Sequence, residues 1–207
     1  MVNSYFELVR FRNDAALANF SRLNMNSDKI KKMRIPKEVH QIENSKKDHG
    51  ISCKILSDNN IEALVPGPKA SPYEEGIFKI SISFGEQYPF RPPTFKFITP
   101  VYHPNIDSSG KICLDLLRMP PNGSYNPAIT LESILLSIQL LLANPNPDDP
   151  LQGDAADLYK NNRKLFNEEA KKFVAKNCKF TVEDDNFETE IEIDKKRLKL
   201  SCEATQK

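Results

Sequence analysis

Between residues 51 and 99 the sequence contains four short stretches typical of β-strands, and the connections between them are short. The clearest of them is IFKISISF, in which Phe78, Ile80, Ile82 and Phe84 alternate with more polar residues and would share one face. The other three are ISCKILS (51–57), IEALVPGP (61–68) and TFKFIT (94–99). Parallel neighbours would need crossover connections of about a dozen residues or more, so this spacing predicts an antiparallel meander.

A helical segment precedes the strands. Ser27 or Asp28 can cap a helix that runs to about Lys47, although Pro36 disturbs its middle and the helix could instead begin at Ile35–Pro36. Its expected apolar face consists of Ile30, Met33, Val39 and Ile42. Its other face is basic and consists of Lys29, Lys31, Lys32, Arg34 and Lys37.

Further helical patterns follow the strands. Thr130 can cap a helix, which must end at the proline-rich segment 144–150, and two more helical segments lie around 152–161 and 163–177. The buried face of the Thr130-capped helix would consist of Leu131, Ile134, Leu135, Ile138, Leu141 and Leu142. A run of strands followed by a run of helices predicts an α+β fold: an N-terminal helix, a four-stranded antiparallel meander, a long loop, then C-terminal helices.

The length of 207 residues suits one domain with extensions. We expect an N-terminal extension at 1–26, a folded domain at 27–178 and a charged tail at 179–207. A net charge of +1 gives no overall attraction to nucleic acid or a membrane surface, so direct nucleic-acid binding is not expected. The longest near-apolar run, ILLSIQLLLA, is far shorter than the ~20 residues that span a bilayer, so no membrane association is expected.

The opening residues lack the apolar stretch of a secretory signal, which predicts a soluble intracellular protein. The short basic cluster KKRLK (195–199) is a weak candidate for a nuclear address. We therefore expect the protein in the nucleus, the cytoplasm or both.

The cysteines stand at positions 53, 113, 178 and 202 without paired spacing, and the histidines are scattered. Neither disulfides nor a metal site is expected from this pattern. Cys113 differs from the others because it follows His103 within HPNIDSSGKICLDLL, as the thiol of a hydrolase might. However, a papain-like dyad usually has its cysteine well before its histidine, the reverse of the order here.

Five motifs around Cys113 resemble the ubiquitin-conjugating enzymes and occur in the order that this family has. They are SPYEEGIFK (71–79), YPFRPP (88–93), PVYHPNI (100–106), KICLDLL (111–117) and PNPDDPL (145–151). The resemblance covers roughly residues 27–178 and implies that family's α+β fold, with Cys113 on the active-site loop. Within the family, the extra residues of MPPNGSYNP (119–127) are similar to the T-type members, which are associated with the Fanconi DNA-repair pathway.

The resemblance implies a transferase without a metal or organic cofactor. Cys113 would accept ubiquitin from a ubiquitin-activating enzyme as a thioester and pass it, with a RING-type ubiquitin ligase, to a lysine of a protein substrate. Because one thioester replaces another, loading is nearly thermoneutral and needs little general base. An ordinary thiol with a pKa of about 8.5 is already a few per cent thiolate at neutral pH.

The resemblance also implies roles for residues near Cys113. His103 is expected to brace the turn by hydrogen bonds. Asn105 could donate to the oxyanion formed when lysine attacks, or it could only tie down the loop that precedes Cys113. Asp149 is expected to orient the lysine and receive its proton, with capping or a merely solvated charge as the alternative. Asp115 is a further candidate to shape the approach of the lysine.

Two surfaces are candidates for partner binding. Phe90, on a loop stiffened by prolines, is either a core residue or part of a docking surface for RING-type ligases, together with Asn126, Pro127 and Ala128. On the first helix, Lys31, Lys32 and Arg34 either form a solvated face or contact the activating enzyme and the ligase. One departure from the family is Tyr125, which stands where a tryptophan is usual.

Three other functions are compatible with such a sequence. The chain could conjugate a ubiquitin-like modifier instead of ubiquitin. It could be an inactive scaffold that binds ubiquitin or ligases, although such a protein would be expected to lack Cys113. A cysteine hydrolase is the least favoured, for want of a plausible dyad.

Overall fold

The computed structural model describes residues 27–178, and its four strands form one antiparallel sheet in chain order. The strands are β1 (Ser52–Ser57), β2 (Asn60–Pro66), β3 (Ile77–Ser83) and β4 (Thr94–Phe97). The predicted meander is therefore confirmed. The two terminal segments, with Cys202 and the KKRLK cluster, lie outside the described residues.

The buried face of the sheet follows from the alternation in β3. Phe78, Ile80 and Ile82 are fully buried, and antiparallel pairing places Phe97 opposite Ile80 and Phe95 opposite Ile82. Residues that pair directly across an antiparallel ladder lie on the same face of the sheet. The core therefore lies on this face, as the sequence predicts.

The helices contribute buried residues to the same core as that face. They are α1 (27–44 within the described residues), α2 (Lys46–His49), α3 (Leu131–Ala143), α4 (Gly153–Asn161) and α5 (Arg163–Asn177), with a short 3₁₀ helix at Asp115–Leu117. Thr130 caps α3, since its hydroxyl accepts a hydrogen bond from the Ser133 amide at 3.2 Å. All six residues predicted for the buried face of α3 are buried, so this prediction is confirmed.

Helix α1 differs from the prediction in two respects. It continues through Pro36, so the alternative start at Ile35–Pro36 is wrong. Its apolar face was also misplaced, because Met33 is 70% exposed while Ile35 is buried with Val39 and Ile42. Positions 35, 39 and 42 follow the helical period, and position 33 lies on the opposite side of the helix. Burial of this face stabilises the helix and so offsets the free-energy cost of the backbone hydrogen bond that Pro36 removes.

Two other residues of α1 also differ from the prediction, for the same geometric reason. Ile30, predicted on the apolar face, is 38% exposed. Lys31, predicted on the basic face, is only 5% exposed because it stands one turn before Ile35 and shares its side of the helix. Its ammonium reaches the Asp28 carboxylate at 3.2 Å.

The loop between β3 and β4 is anchored to α1. The Ser27 hydroxyl lies 2.7 Å from the carbonyl oxygen of Glu86 and 2.5 Å from that of Tyr88. The Tyr88–Pro89 peptide bond is cis. Tyr88 points into the core, whereas Phe90, two residues later, is 54% exposed.

Over residues 27–178, none of the helices has the length and apolar character that crossing a membrane requires.

Candidate active site

Cys113 is held in place by the turn that precedes it. Its backbone N–H donates to the carbonyl oxygen of Asn105 at 2.9 Å, and an isolated bridge pairs Ile106 with Ile112. Cys113 is 7% exposed, so only a small part of the residue reaches the surface. The backbone around the cysteine is therefore fixed by the same turn that carries His103 and Asn105.

A glycine turn closes this hairpin against β4. Gly110 has a φ of 86°, and a Cβ atom there would lie 2.0 Å from the carbonyl oxygen of Phe97. The Phe97 amide donates to the carbonyl of Gly110 at 2.9 Å. Only glycine tolerates both the positive φ and the close approach, so the turn fixes the segment leading to Cys113 on the edge of the sheet.

His103 is fully buried and makes two hydrogen bonds through its ring. Nδ1 accepts from the Asn105 amide at 3.0 Å, so Nε2 carries the proton and donates to the Leu141 carbonyl at 3.0 Å. Burial lowers the pKa of His103 to about 4, with the bond to Leu141 opposing the shift. The ring is therefore neutral at pH 7 and connects the turn to α3, which is the geometry of a structural brace.

The Asn105 side chain is buried and fully engaged. Its amide nitrogen donates to the carbonyl oxygens of Asn146 at 2.7 Å and Asp149 at 3.0 Å. Its oxygen accepts from the Asn146 amide at 2.8 Å. Because an amide group has two N–H hydrogens, none remains for an oxyanion in this conformation. Of the two roles left open by the sequence, these contacts support the loop-tying one, with the loop at 146–149 as the partner.

The loop that Asn105 secures brings Asp149 to the cysteine. The Cys113 thiol donates to Asp149 Oδ2 at 2.8 Å, and Arg118 Nη2 donates to Cys113 Sγ at 2.9 Å. Arg118 Nη1 also lies 3.3 Å from Asp149 Oδ2. Thiol, carboxylate and guanidinium thus form one cluster, of which the sequence interpretation included only Cys113 and Asp149.

The charges around Cys113 favour the protonated thiol. Burial, followed by the hydrogen bond to Asp149, raises the pKa of Cys113 to about 11, while the positive charge of Arg118 opposes this shift. In turn, the hydrogen bond from the thiol lowers the pKa of Asp149. The ordinary thiol pKa assumed from the sequence is therefore wrong for the free protein. The thiol is therefore protonated at pH 7 in the free protein.

Asp115 lies at the start of the 3₁₀ helix and is exposed. Its carbonyl oxygen accepts from the amides of Arg118 and Ser124, both at 3.0 Å, so its backbone closes the turn after the cysteine. Its carboxylate acts on Cys113 electrostatically and raises the thiol pKa.

The candidate ligase surface consists of two loops that are joined by buried contacts. Phe90 is exposed on the first loop, and Asn126, Pro127 and Ala128 are exposed on the second. Tyr125 is buried between them, and its hydroxyl donates to the carbonyl of Pro89 at 2.7 Å. The residue that replaces the family's tryptophan therefore links the two loops.

The basic residues of α1 have separate environments. The Arg34 guanidinium donates to the carbonyls of Pro127 and Ile129, pairs with Glu38 and lies over the Tyr88 ring, so it helps to fix the second loop. Lys32 is exposed and lies 3.7 Å from Asp58. Lys31 is buried, as described above, so a direct contact of its side chain with a partner enzyme is not supported.

Comparison with known proteins shows that this chain is similar to one enzyme family in sequence and in fold. Residues 34–174 match the family model described as ubiquitin-conjugating enzyme. The ubiquitin-conjugating enzyme E2 T of Xenopus laevis is 45% identical over 147 residues, covering 70% of this chain and 76% of the relative. That of Homo sapiens is 40% identical over 148 residues, covering 70% and 75%.

Solved structures give the same result. A Toxoplasma gondii ubiquitin-conjugating enzyme domain superposes with a TM-score of 0.64 at 35% identity and covers 71% of this chain and 99% of that domain. Enzymes of this family work with ubiquitin, an activating enzyme and ligases. The chain therefore belongs to the ubiquitin-conjugating enzymes, transferases with a catalytic cysteine.

Proposed function

We propose that this enzyme accepts ubiquitin from an activating enzyme as a thioester on Cys113 and transfers it, with a RING-type ligase, to a lysine of a protein substrate. The observation that carries the proposal is the contact of 2.8 Å between Cys113 Sγ and Asp149 Oδ2. In loading, Sγ bonds to the carbonyl carbon of the ubiquitin terminus as the bond from that carbon to the activating enzyme's sulfur breaks. The proton of Cys113 ends on the departing sulfur.

The second step places a different demand on Asp149. A lysine with a pKa of about 10.4 costs about 4.6 kcal/mol to neutralise at pH 7. Once Cys113 is acylated, it has no S–H to donate, and Asp149 Oδ2 becomes available to the incoming amine. The carboxylate then orients the lysine beside the thioester and accepts its proton. The lysine nitrogen bonds to the carbonyl carbon, the bond from that carbon to Sγ breaks, and the proton returns to Cys113 as its thiol forms again.

The test is incubation of the protein with ATP, activating enzyme and ubiquitin, followed by electrophoresis with and without reductant. An adduct that reductant removes supports the proposal. The absence of any adduct with ubiquitin contradicts it. A parallel reaction with ubiquitin-like modifiers and their own activating enzymes decides which modifier is used.

The exposure of Phe90 supports a RING-type ligase as the partner, because a rigid, half-exposed aromatic beside a second exposed loop suits a protein interface. We expect Phe90→Ala to slow ligase-stimulated discharge of ubiquitin about tenfold, the size of a hot-spot loss, and to leave discharge to free lysine without ligase unchanged. Single-turnover discharge with and without the ligase measures both rates.

The matched control is Leu165→Ala, which shortens another exposed apolar side chain on α5. It should leave both rates unchanged. An equal loss in the presence and absence of ligase after Phe90→Ala would argue against a docking role.

The likeness to the T-type members supports a role in DNA repair. We expect the protein itself in the nucleus, the cytoplasm or both. Cells that lack the protein should then be more sensitive to DNA damage, and the Cys113→Ala protein should fail to rescue them. Rescue by that variant would contradict a catalytic role in repair.

A further inference from the structure

Arg118 contacts both Cys113 and Asp149 in the active-site cluster, although it lies outside the five motifs described above. One guanidinium nitrogen, Nη2, lies 2.9 Å from Cys113 Sγ, and the other, Nη1, lies 3.3 Å from Asp149 Oδ2. The same carboxylate oxygen lies 2.8 Å from Sγ. Arg118 therefore touches the reacting atom and the residue that faces it.

The backbone of the following loop holds Arg118 in this position. Its amide donates to the Asp115 carbonyl and its carbonyl accepts from the Tyr125 amide, both at 3.0 Å. A Cβ atom at Gly123 would lie 2.4 Å from the Cβ of Arg118, so the two sides of the loop are in close contact. A side chain presented from so constrained a backbone can maintain a defined position beside the thiol.

The charges that face Cys113 give Arg118 a distinct effect. Asp149, on the loop before α4, and Asp115, on the 3₁₀ helix, each raise the pKa of the thiol. Arg118 is the charged residue that lowers it. A guanidinium donor at hydrogen-bonding distance stabilises a thiolate more than a thiol.

We propose that Arg118 is a further catalytic residue of the loading step, in which its guanidinium stabilises the negative charge that develops on Cys113 Sγ. This proposal rests on the proposed function, since loading is the reaction it assists. As the thiol proton passes to the departing sulfur of the activating enzyme, Nη2 donates to the negative charge on Sγ while Sγ attacks the carbonyl carbon, and Nη1 keeps Asp149 beside it. In discharge, Sγ leaves as an anion after the lysine nitrogen has bonded to the carbonyl carbon, so Arg118 also stabilises that departure.

The test compares Arg118→Met with the unchanged protein by alkylation of Cys113 with iodoacetamide at pH 7.5 to 10, a range in which the thiolate fraction of a thiol with a pKa of about 11 rises steadily with pH. The alkylated peptide is quantified by mass spectrometry, which separates Cys113 from the other cysteines. We expect alkylation at pH 8 to fall roughly three- to tenfold, and the profile to move to higher pH, for a partly exposed charge–sulfur contact. Single-turnover loading should fall by a similar factor, and discharge to free lysine should fall as well because Sγ leaves as an anion in that step.

Two further variants interpret the result. Arg118→Lys keeps the charge without the fork of two donors, and it should restore much of the alkylation rate. Lys164→Met removes an exposed positive charge on α5 and should match the unchanged protein. Melting temperatures identify any variant whose fold is damaged.

An unaltered alkylation profile in Arg118→Met overturns the proposal, even if loading falls. Equal loss of loading and discharge in a variant with an unaltered profile assigns Arg118 to loop structure and also overturns it. A protein that shows the Arg118-dependent profile but forms no adduct with ubiquitin supports the contact and contradicts the proposed function, so the two failures are distinguishable.

Discussion

Replacing Cys113 by serine should convert the reductant-sensitive ubiquitin adduct into one that forms more slowly and survives reductant. Serine keeps the position and nearly the size of the thiol, so the hydrogen bond to Asp149 can persist and the fold should be retained. A hydroxyl is a far weaker acid than a thiol and attacks a thioester slowly, but the oxyester it forms is not cleaved by thiols. Cys113→Ala should form no adduct. Electrophoresis with and without reductant measures both outcomes.

The other described cysteines provide the controls. Cys53 is buried, and burial raises its pKa well above the range of an ordinary thiol. Cys178 lies partly buried at the end of α5, and burial raises its pKa to about 11. Cys113 has a similarly raised pKa, but it is distinguished by its contacts with Asp149 and Arg118. Cys53→Ser and Cys178→Ser should leave the reductant-sensitive adduct unchanged because these cysteines lie outside that cluster. An adduct that persists in Cys113→Ala would show that another residue is the acceptor.

Asn105→Ala should slow loading and discharge together, each on the order of 10- to 100-fold, since misplacement of a reacting group by about 1 Å can cost that much. The side chain contributes three hydrogen bonds to the loop at 146–149, and that loop positions Asp149 against Cys113. Buried groups left without partners cost about 1–3 kcal/mol each, so the melting temperature should fall as well. Single-turnover loading and discharge to free lysine, with thermal unfolding, measure the three effects.

The control for this prediction is Asn144→Ala. Asn144 stands near the same loop but bonds only to the Leu140 carbonyl of its own helix, at 3.4 Å. It should leave both rates nearly unchanged. A variant Asn105→Ala that loads normally and fails only in discharge would instead favour an oxyanion donor, which requires the amide to leave its partners in the 146–149 loop.

The parts of the fold that the sequence predicted are those governed by simple periodicity. The alternation in β3 and the heptad-like spacing in α3 each reflect one buried face, so pattern alone placed them correctly. Helix α1 was harder to interpret because Lys31, a charged residue, lies on its buried side and Met33, an apolar one, lies on its exposed side. Its orientation is decided by contacts with distant loops, through Arg34 and Ser27.

The candidate site was also predicted in part, but from the family resemblance instead of from periodicity. Ordered motifs brought Cys113, Asn105 and Asp149 into one hypothesis although they are far apart along the chain, because the resemblance supplied the fold. Arg118 was missed because its position depends on the path of an irregular loop. A basic residue shortly after the cysteine was the only available signal. The raised pKa of Cys113 depends on burial, which no local pattern reports.

The buried links between the two candidate docking loops have a consequence for how partner preference can change. The residues that would touch a ligase, such as Phe90, are exposed, whereas Tyr125 and Arg34 set the spacing between the loops from behind. Shape and contact chemistry are thus encoded at separate positions. A substitution at the buried Tyr125 can change the spacing of the two loops, and hence which ligase fits, although Tyr125 would not contact the ligase itself. A substitution at the exposed Phe90 can change the affinity for a ligase without changing that spacing.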